Sequence, residues 1–241
     1  MRGLDKNLVQ MKIAVVTSTY YRRDGKTKYF LTRCLNSIKN QKHQDYKVFL
    51  IGDRYEKAEE FLSIANNIID KEKIYFENLE FAKERDKYQR SSEMLWCSGG
   101  TNAYNYAINK ALDEGYEYIC HLDHDDYWNP DHLLKISDFL DANNNYVFVA
   151  THCNYLGIYN VPVHSSSGDY YPIEGDITHS STCLKFGDLD IRYRDVFEET
   201  GNAFPSDADL WIRVREKMKS DNLKGMLLED VTVFLDKREK E

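Results

Sequence analysis

Three carboxylates within four residues follow an apolar run near the middle of the chain. The segment reads HLDHDDYWNPDHL, and it places Asp123, Asp125 and Asp126 directly after residues 116–122. Carboxylates this close repel one another unless a cation joins them. Oxygen ligands at this density suit Mg²⁺ or Mn²⁺, which keep coordination positions open for water and phosphate oxygens. The spacing therefore predicts a divalent-metal site, and the alternative is a solvated turn with helix-capping Asp side chains.

Two other metal chemistries are disfavoured by spacing. A calcium-binding EF-hand loop that began at Asp123 would need Gly at its sixth position and Glu at its twelfth, where Trp128 and Leu134 stand. A zinc hydrolase site could be drawn from His121, His124, Asp125 and His132. The HExxH spacing that sets two zinc ligands on one helical face is absent, however.

Alternating strand and helix patterns surround the acidic segment. Apolar or β-branched runs predict strands at residues 12–17, 46–51, 73–76, 116–122 and 146–150. Helical spacing separates these runs, which predicts βαβ units and a mostly parallel sheet. Such sheets bind ligands outside the carboxyl ends of their strands, and Asp53 and the acidic segment both lie at such ends. The charged residues 77–97 are predicted as a long loop, residues 207–219 as a helix and residues 226–235 as a closing strand.

Composition limits the class of protein. The chain has 241 residues and a net charge of −8 without a basic block, which disfavours nucleic acid as a partner. A nucleotide bound through a metal stays compatible, because the metal supplies positive charge locally. Five cysteines without a CxxC pair argue against a disulfide framework and favour a cytoplasmic location, with a peripheral membrane contact left open. No apolar run reaches 18 residues, and residues 1–10 are predicted to be a flexible leader.

Taken together, these motifs resemble those of the family 2 glycosyltransferases with the GT-A fold. The pieces, in chain order, are VTSTYYR, LTRCLNSIKNQ, VFLIGD, GGTNAYNYAINKAL, YICHLDHDDYWNPDHL and FPSDADLWIRV. The resemblance implies a Rossmann-like three-layer α/β sandwich in residues 11–241. Residues 11–126 would bind the nucleotide sugar, and residues 127–241 would face the acceptor. The implied reaction is an inverting, metal-assisted transfer of a sugar, with UDP-glucose as the first donor to try and a carbohydrate or lipid-linked acceptor.

The same resemblance assigns roles to individual residues. Thr17 and Tyr20 would line the pocket for the nucleotide base, and Asp53 would accept a hydrogen bond from the base N3–H, which favours uracil. Asp123 would contact the ribose. The remaining implied positions are Asp125 for Mn²⁺ or Mg²⁺, Asp207 for the catalytic base, and Asn102 and Asn105 for the donor.

Three departures from the family pattern leave alternatives open. Ser18 stands near the usual Pro, Tyr104 replaces the usual Arg, and Ser206 replaces the Glu of the late Glu-Asp pair. Asp207 and Asp209 are therefore rival candidates for the base, and we favour Asp207 because it lies at the start of its helix. A metal ligand among His152, His164 and His179 stays open. So do two other functions, a nucleotidyltransferase and a non-catalytic protein that binds nucleotide sugars.

Overall fold

The protein is described by a computed structural model that covers residues 11–163 and 168–235. The predicted leader at residues 1–10 and His164 lie outside these described residues. The strands are β1 (Ile13–Thr19), β2 (Tyr46–Gly52), β3 (Ile74–Asn78), β4 (Tyr118–His121), β5 (Tyr127–Trp128), β6 (Tyr146–Tyr155), β7 (Tyr159–Val161), β8 (Thr182–Lys185) and β9 (Lys224–Leu235). The helices are α1 (Thr27–Lys39), α2 (Ala58–Ile68), α3 (Lys83–Lys87), α4 (Ser92–Ser98), α5 (Thr101–Asp113), α6 (His132–Ala142), α7 (Phe186–Leu189), α8 (Val196–Thr200) and α9 (Ser206–Ser220).

The strands form one sheet in the order β3-β2-β1-β4-β8-β6-β9-β5, with β7 paired to β6. The strands β3, β2, β1 and β4 run parallel to one another, and β6 runs parallel to β9. The predicted mostly parallel α/β sheet is therefore confirmed. The short strand β8 was not predicted, and it enters antiparallel between β4 and β6.

Helices cover both faces of the sheet, which gives the three predicted layers. Side chains alternate along β1, so that Ile13 and Val15 pack on one face while Ala14 and Val16 pack on the other. The first face is covered by α1, α2 and α6, and the second by α5, α7 and α9. Full burial of a large apolar side chain contributes about 1.5–3 kcal/mol to folding stability. The two cores therefore stabilise the sheet whose strand ends carry the acidic residues.

Residues 77–97 correct the prediction of a long loop. Two short helices, α3 and α4, lie in this segment. The hydroxyl of Ser91 accepts a hydrogen bond from the backbone N–H of Met94 and caps α4. Glu84 is 2% exposed, and its Oε2 accepts from the backbone N–H of Asn102 in the first turn of α5 at 3.2 Å. Ser91 and Glu84 thus bind the first turns of α4 and α5, which a search for apolar periodicity does not detect.

The helix α5 begins next to the end of β1. Gly100, just before this helix, has a φ of +85°, and a Cβ at this position would lie 3.2 Å from the hydroxyl oxygen of Ser18. Glycine is thus favoured by both the backbone and the close approach. Within residues 11–163 and 168–235, none of the helices has the length and apolar character needed to cross a membrane.

Candidate active site

The acidic segment forms a tight turn directly after β4. The backbone N–H of Asp126 donates to the carbonyl of Asp123 at 3.0 Å, which closes the turn. Asp126 is 1% exposed, and its Oδ2 accepts from the hydroxyl of Ser180 at 2.6 Å. The same hydroxyl accepts from the backbone N–H of Asp123 at 3.0 Å. Asp126 and Ser180 therefore fix the turn, and Asp123 and Asp125 are the carboxylates that remain for a ligand role.

Asp125 lies between two arginines. Nη1 of Arg22 donates to its Oδ2 at 3.1 Å, and Nη2 of Arg33 donates to its backbone carbonyl at 2.6 Å. Asp125 is 8% exposed, so this turn is a partly closed site rather than a solvated loop. His124, the residue between the two carboxylates, is buried against Ser18 and Tyr20. Burial lowers the pKa of His124, which favours a neutral imidazole.

Asp123 is held by two aromatic side chains. The Tyr104 hydroxyl donates to its Oδ1 at 2.5 Å, and Nδ1 of His179 lies 3.0 Å from the same oxygen. Nε2 of His179 is hydrogen-bonded to the hydroxyl of Tyr193, and its ring stacks on His121 with 4.2 Å between centroids. Burial lowers the pKa of His121 well below its usual value. Tyr104, which replaces the usual family Arg, thus contacts the acidic turn directly.

A cavity of about 220 Å³, the inner cavity, lies next to Asp123. It is lined by Trp96, Cys97, Gly99, Thr101, Tyr104, Asp123, His179, Tyr193, Pro205, Ser206 and Asp207. Asp207 is exposed in the first turn of α9, where its Oδ1 accepts from the backbone N–H of Ala208 at 2.8 Å. Asp123 and Asp207 therefore face one space although 84 positions separate them in the sequence.

The rival carboxylate Asp209 has a different environment. It is 6% exposed and accepts hydrogen bonds from both Arg194 and Arg213 at 2.6–2.9 Å. These contacts lower the pKa of Asp209 against the opposing effect of its burial, which is the largest single influence. Asp209 is thus part of an ion-pair cluster that fixes α9, and it does not line the inner cavity.

A larger cleft of about 800 Å³, the outer cleft, adjoins the inner cavity and shares Trp96 and Gly99 with it. It is lined by Tyr20, Tyr21, Arg22, Arg23, Asp24, Arg54, Glu56, Arg85, Asp86, Gln89, Leu95, Trp96 and Gly99. Four of these residues are arginines, and three of the four are ion-paired with carboxylates of the same lining, namely Asp24, Asp86 and Glu56. The guanidinium of Arg85 lies over the ring of Tyr20, 4.3 Å from its centroid. The cleft can therefore accept an anion together with a flat aromatic group.

Asp53 lies behind Arg85 and is fully buried. Nη1 of Arg85 donates to the backbone carbonyl of Asp53 at 3.0 Å. Within the described part of the chain, neither carboxylate oxygen of Asp53 has a hydrogen-bond partner. Burial raises the pKa of Asp53 to about 7, and the charge of Arg85 opposes this shift. Thr17 is also fully buried, so of the three predicted base-pocket residues only Tyr20 lines the outer cleft.

The two predicted donor-binding asparagines lie elsewhere. Asn102 and Asn105 line a separate depression that they share with Tyr193 and Arg194. Both amide atoms of Asn105 are hydrogen-bonded to the backbone of Tyr193, at 2.8 and 2.9 Å. Asn102 and Asn105 therefore line neither the inner cavity nor the outer cleft, and their contact with the donor stays a prediction. Asn105 instead fixes the backbone of a residue whose ring does line the inner cavity.

The residues present fit a cation that completes its coordination with substrate. Among residues 11–163 and 168–235, no three His, Cys, Asp or Glu side chains are arranged to hold a metal ion. Mg²⁺ and Mn²⁺ sites that serve phosphates need one or two carboxylates, with the remaining positions filled by water and phosphate oxygens. Asp125 meets this smaller requirement in its donor chemistry, although it lines neither cavity and its Oδ2 is paired with Arg22. His152 does not line either cavity, and His179 faces Asp123.

Sequence reasoning did not assign a site role to Arg22, Arg85, Trp96 or Tyr193, and it gave His179 only as one of three possible metal ligands. Trp96 is 76% exposed at the junction of the two cavities, which is an unusual position for a residue of its size. Among the residues around Asp123, Tyr104 could be found from the sequence, because it departs from the family pattern. The residues without an assigned role come from segments whose structure strand and helix periodicity does not predict.

Comparison with known proteins points to one family. The sequence model of "Glycosyl transferase family 2" matches residues 94–201. An uncharacterized glycosyltransferase of Acanthamoeba polyphaga mimivirus is 32% identical over an alignment of 221 positions that covers 88% of this chain and 88% of that protein.

Solved structures extend the likeness to the fold. S. aureus TarS 1-349 has a TM-score of 0.67 at 16% identity, with 94% of this chain and 60% of that chain covered. The complex of TarS 1-349 with UDP-GlcNAc has a TM-score of 0.67 at 17% identity, with 96% and 60% covered. The mannosyltransferase PcManGT from Pyrobaculum calidifontis, in complex with GDP-Man and Mn2+, has a TM-score of 0.56 at 13% identity, with 93% and 56% covered. This chain thus spans three fifths or less of these solved chains, and the likeness at these identities is one of fold.

Proposed function

Because the chain belongs to the family 2 glycosyltransferases and has their GT-A fold, we propose that it transfers a sugar from a uridine diphosphate sugar to a hydroxyl group of a carbohydrate or lipid-linked acceptor. One observation carries this proposal. Asp123 and Asp207 line the inner cavity, which shares Trp96 and Gly99 with the outer cleft and its four arginines. The outer cleft would take the base and the diphosphate, and the inner cavity would take the sugar and the acceptor hydroxyl, with the ribose near Asp123 where the two spaces adjoin.

The base is proposed to bind where Arg85 covers Tyr20. A base N3–H would give the buried carboxylate of Asp53 a donor that no described residue supplies, once Arg85 moves from its present position. Uracil carries such a donor, and the TarS complexes with UDP-GlcNAc and UDP support a uridine nucleotide. UDP-glucose and UDP-GlcNAc are therefore the first donors to test, with GDP-mannose as the contrasting nucleotide because of the PcManGT complex.

Asp125 is the proposed ligand for Mn²⁺ or Mg²⁺, and Asp123 is proposed to contact the ribose of the donor. A divalent cation, when bound, acts as a Lewis acid that stabilises the charge developing on the departing diphosphate. Arg22 and the other arginines of the outer cleft add positive charge along the same path. The Mn2+ in the PcManGT complex supports this choice of cation.

Asp207 is the proposed catalytic base. Its carboxylate takes the proton of the acceptor hydroxyl while the acceptor oxygen forms a bond to the anomeric carbon. The bond from that carbon to the diphosphate oxygen breaks in the same displacement, and the electron pair leaves with the nucleoside diphosphate. Attack from the face opposite the leaving group inverts the anomeric centre. The exposure of Asp207 within the inner cavity supports this role, and the ion pairs of Asp209 argue against the rival.

The test is a donor-hydrolysis screen with UDP-glucose, UDP-GlcNAc and GDP-mannose, each with and without Mn²⁺. The unmodified protein is compared with Asp125→Ala and with Asp141→Asn, a matched change at an exposed carboxylate on α6. We expect release of UDP from one donor that depends on Mn²⁺, is lost in Asp125→Ala and is kept in Asp141→Asn. If calorimetry finds no metal-dependent UDP binding and the screen finds no release, the proposal is wrong.

Two other outcomes correspond to the alternatives. Tight UDP binding without turnover on a broad acceptor set would indicate a non-catalytic binding protein. Ser206 gives this alternative a structural basis. It replaces the family Glu, and its hydroxyl donates a hydrogen bond to the backbone carbonyl of Arg194. Reaction of a nucleoside triphosphate with a sugar phosphate would indicate a nucleotidyltransferase, an activity that the family membership disfavours.

A further inference from the structure

A guanidinium neutralises the carboxylate that is proposed to bind the metal. Nη1 of Arg22 lies 3.1 Å from Oδ2 of Asp125, and the two side chains are 23% and 12% exposed. An ion pair that is this far removed from solvent is screened less than a surface pair. The charge of Asp125 also raises the pKa of Arg22, behind the larger effects of Asp24 and of burial. A metal ion that approaches Asp125 therefore meets a cation already in contact with its ligand.

The guanidinium of Arg22 is anchored on its other side. Its Nε and Nη2 donate to the carboxylate of Asp24 at 2.8–3.2 Å, and this contact lowers the pKa of Asp24 to about 2. The backbone N–H of Arg22 donates to the hydroxyl of Thr27 at 2.7 Å, and the guanidinium lies 5.3 Å from the ring centroid of Phe30. Nη1 can therefore change partner while the Asp24 contacts hold the rest of the group in place.

Arg22 also lines the outer cleft, where the nucleotide diphosphate is proposed to bind. We infer that Arg22 holds Asp125 until a nucleoside diphosphate and a divalent cation arrive together, and that its Nη1 then passes from Asp125 to a phosphate oxygen. This inference rests on the proposed function, because it requires the metal at Asp125. Its consequence is a coupling between the two ligands: the bare cation competes with Arg22, and the diphosphate removes the competitor.

The experiment measures Mn²⁺ binding from the loss of the free-ion electron paramagnetic resonance signal, with and without UDP. The variants are Arg22→Gln, Arg22→Lys and, as a matched loss of charge one residue along in the same cleft, Arg23→Gln. In the absence of UDP, we expect Arg22→Gln to bind Mn²⁺ roughly three- to tenfold more tightly than the unmodified protein. We expect Arg22→Lys and Arg23→Gln to stay within about twofold of it, because each keeps a cation beside Asp125.

With Mn²⁺ present, Arg22→Gln is expected to bind UDP more weakly, so that the coupling between Mn²⁺ and UDP falls. Circular dichroism melting checks that each variant is folded, and Arg22→Met, which also removes the charge, replaces Arg22→Gln if that variant is not folded. Equal Mn²⁺ affinities for Arg22→Gln and the unmodified protein, in a protein that does bind UDP with Mn²⁺, overturn the inference and leave the proposed function in place. Absence of Mn²⁺-dependent UDP binding in the unmodified protein overturns both.

Discussion

His179 and Asp123 are joined by a hydrogen bond across the inner cavity, with 3.0 Å between Nδ1 and Oδ1. Asp123 follows β4, whereas His179 begins the short 3-10 turn His179–Ser181 before β8. Tyr193 contacts Nε2 of the same imidazole, so the ring is held at both nitrogens. This arrangement makes His179 a positioning residue for a carboxylate that is proposed to contact the donor.

Removal of the His179 imidazole should weaken binding of the nucleotide. His179→Leu removes the hydrogen bond between His179 and Asp123, and a hydrogen bond to a charged group contributes about 1.5–3 kcal/mol. We therefore expect roughly tenfold weaker UDP binding in the presence of Mn²⁺, measured by calorimetry, since about 1.4 kcal/mol is tenfold in affinity. His179→Asn keeps a donor near the position of Nδ1 and should recover part of the affinity.

His152 provides the control for this prediction. It is a partly buried histidine on β6 that lines neither the inner cavity nor the outer cleft. His152→Asn should bind UDP as the unmodified protein does. Equal losses in the His152 and His179 variants would mean that general destabilisation, rather than the position of Asp123, sets the affinity.

The buried carboxylate of Asp53 should make stability fall as pH rises. Its folded pKa is about 7 against the ordinary value of 3.8, so the folded state binds this proton more tightly than the unfolded state. The resulting stability is fully present below about pH 4 and is lost as pH rises through 7, by an amount on the order of 4 kcal/mol. Asp53→Asn should remove this dependence. We expect it to be more stable than the unmodified protein at pH 8 and to bind UDP more weakly.

Urea unfolding at pH 5 and pH 8 checks this prediction, with the free energy of unfolding compared between the two proteins at each pH. The difference between them isolates Asp53, because other titrating groups contribute to both. Glu84, Asp86, Arg54 and Arg85 all act on this carboxylate, so the sign of the difference is a stronger test than its size. A constant difference between pH 5 and pH 8 would show that Asp53 stays ionised throughout.

The sequence predicts the fold better than it predicts the site. The apolar and β-branched runs of β1, β2 and β4 depend on residues close together in the chain, and each strand was predicted to within two residues at its carboxyl end. The four-residue strand β8 and the capped helices α3 and α4 were missed. Their formation depends on partners far along the chain, such as Asn102 for Glu84, rather than on local periodicity.

The site shows the same limit in its side chains. The sequence placed Asp123, Asp125 and Asp207 at element ends, and the structure has Asp123 and Asp207 on one cavity. It could not show that Asn105 turns its amide to the backbone of Tyr193, because that contact spans 88 positions. Nor could it show the pairing of Arg22 with Asp125, which depends on how two strand ends meet.

Substitution of Asp207 should slow sugar transfer, whereas substitution of Asp209 should lower the free energy of unfolding. Asp207→Asn removes an exposed carboxylate, so we expect normal stability, normal UDP affinity and roughly 10²–10⁴-fold slower transfer. Asp209→Asn weakens the pairing with Arg194 and Arg213, whose side chains are 35% and 23% exposed, so we expect a loss of about 1–3 kcal/mol in unfolding free energy. Single-turnover kinetics and urea unfolding, run on both variants, separate the two effects. Slower transfer in Asp209→Asn alone, at unchanged stability, would reverse the assignment of the base.

Trp96 should act as a sugar-binding platform at the junction of the two cavities. It is 76% exposed, so its removal should cost little stability, yet its ring borders both the inner cavity and the outer cleft. For Trp96→Ala we expect roughly a five- to tenfold rise in KM for the donor or the acceptor with kcat little changed, and we expect Trp96→Phe to recover most of the loss. Phe81→Ala is the matched control, because Phe81 is 67% exposed and lines neither cavity. A Trp96→Ala variant with unchanged KM for both substrates would exclude the platform role.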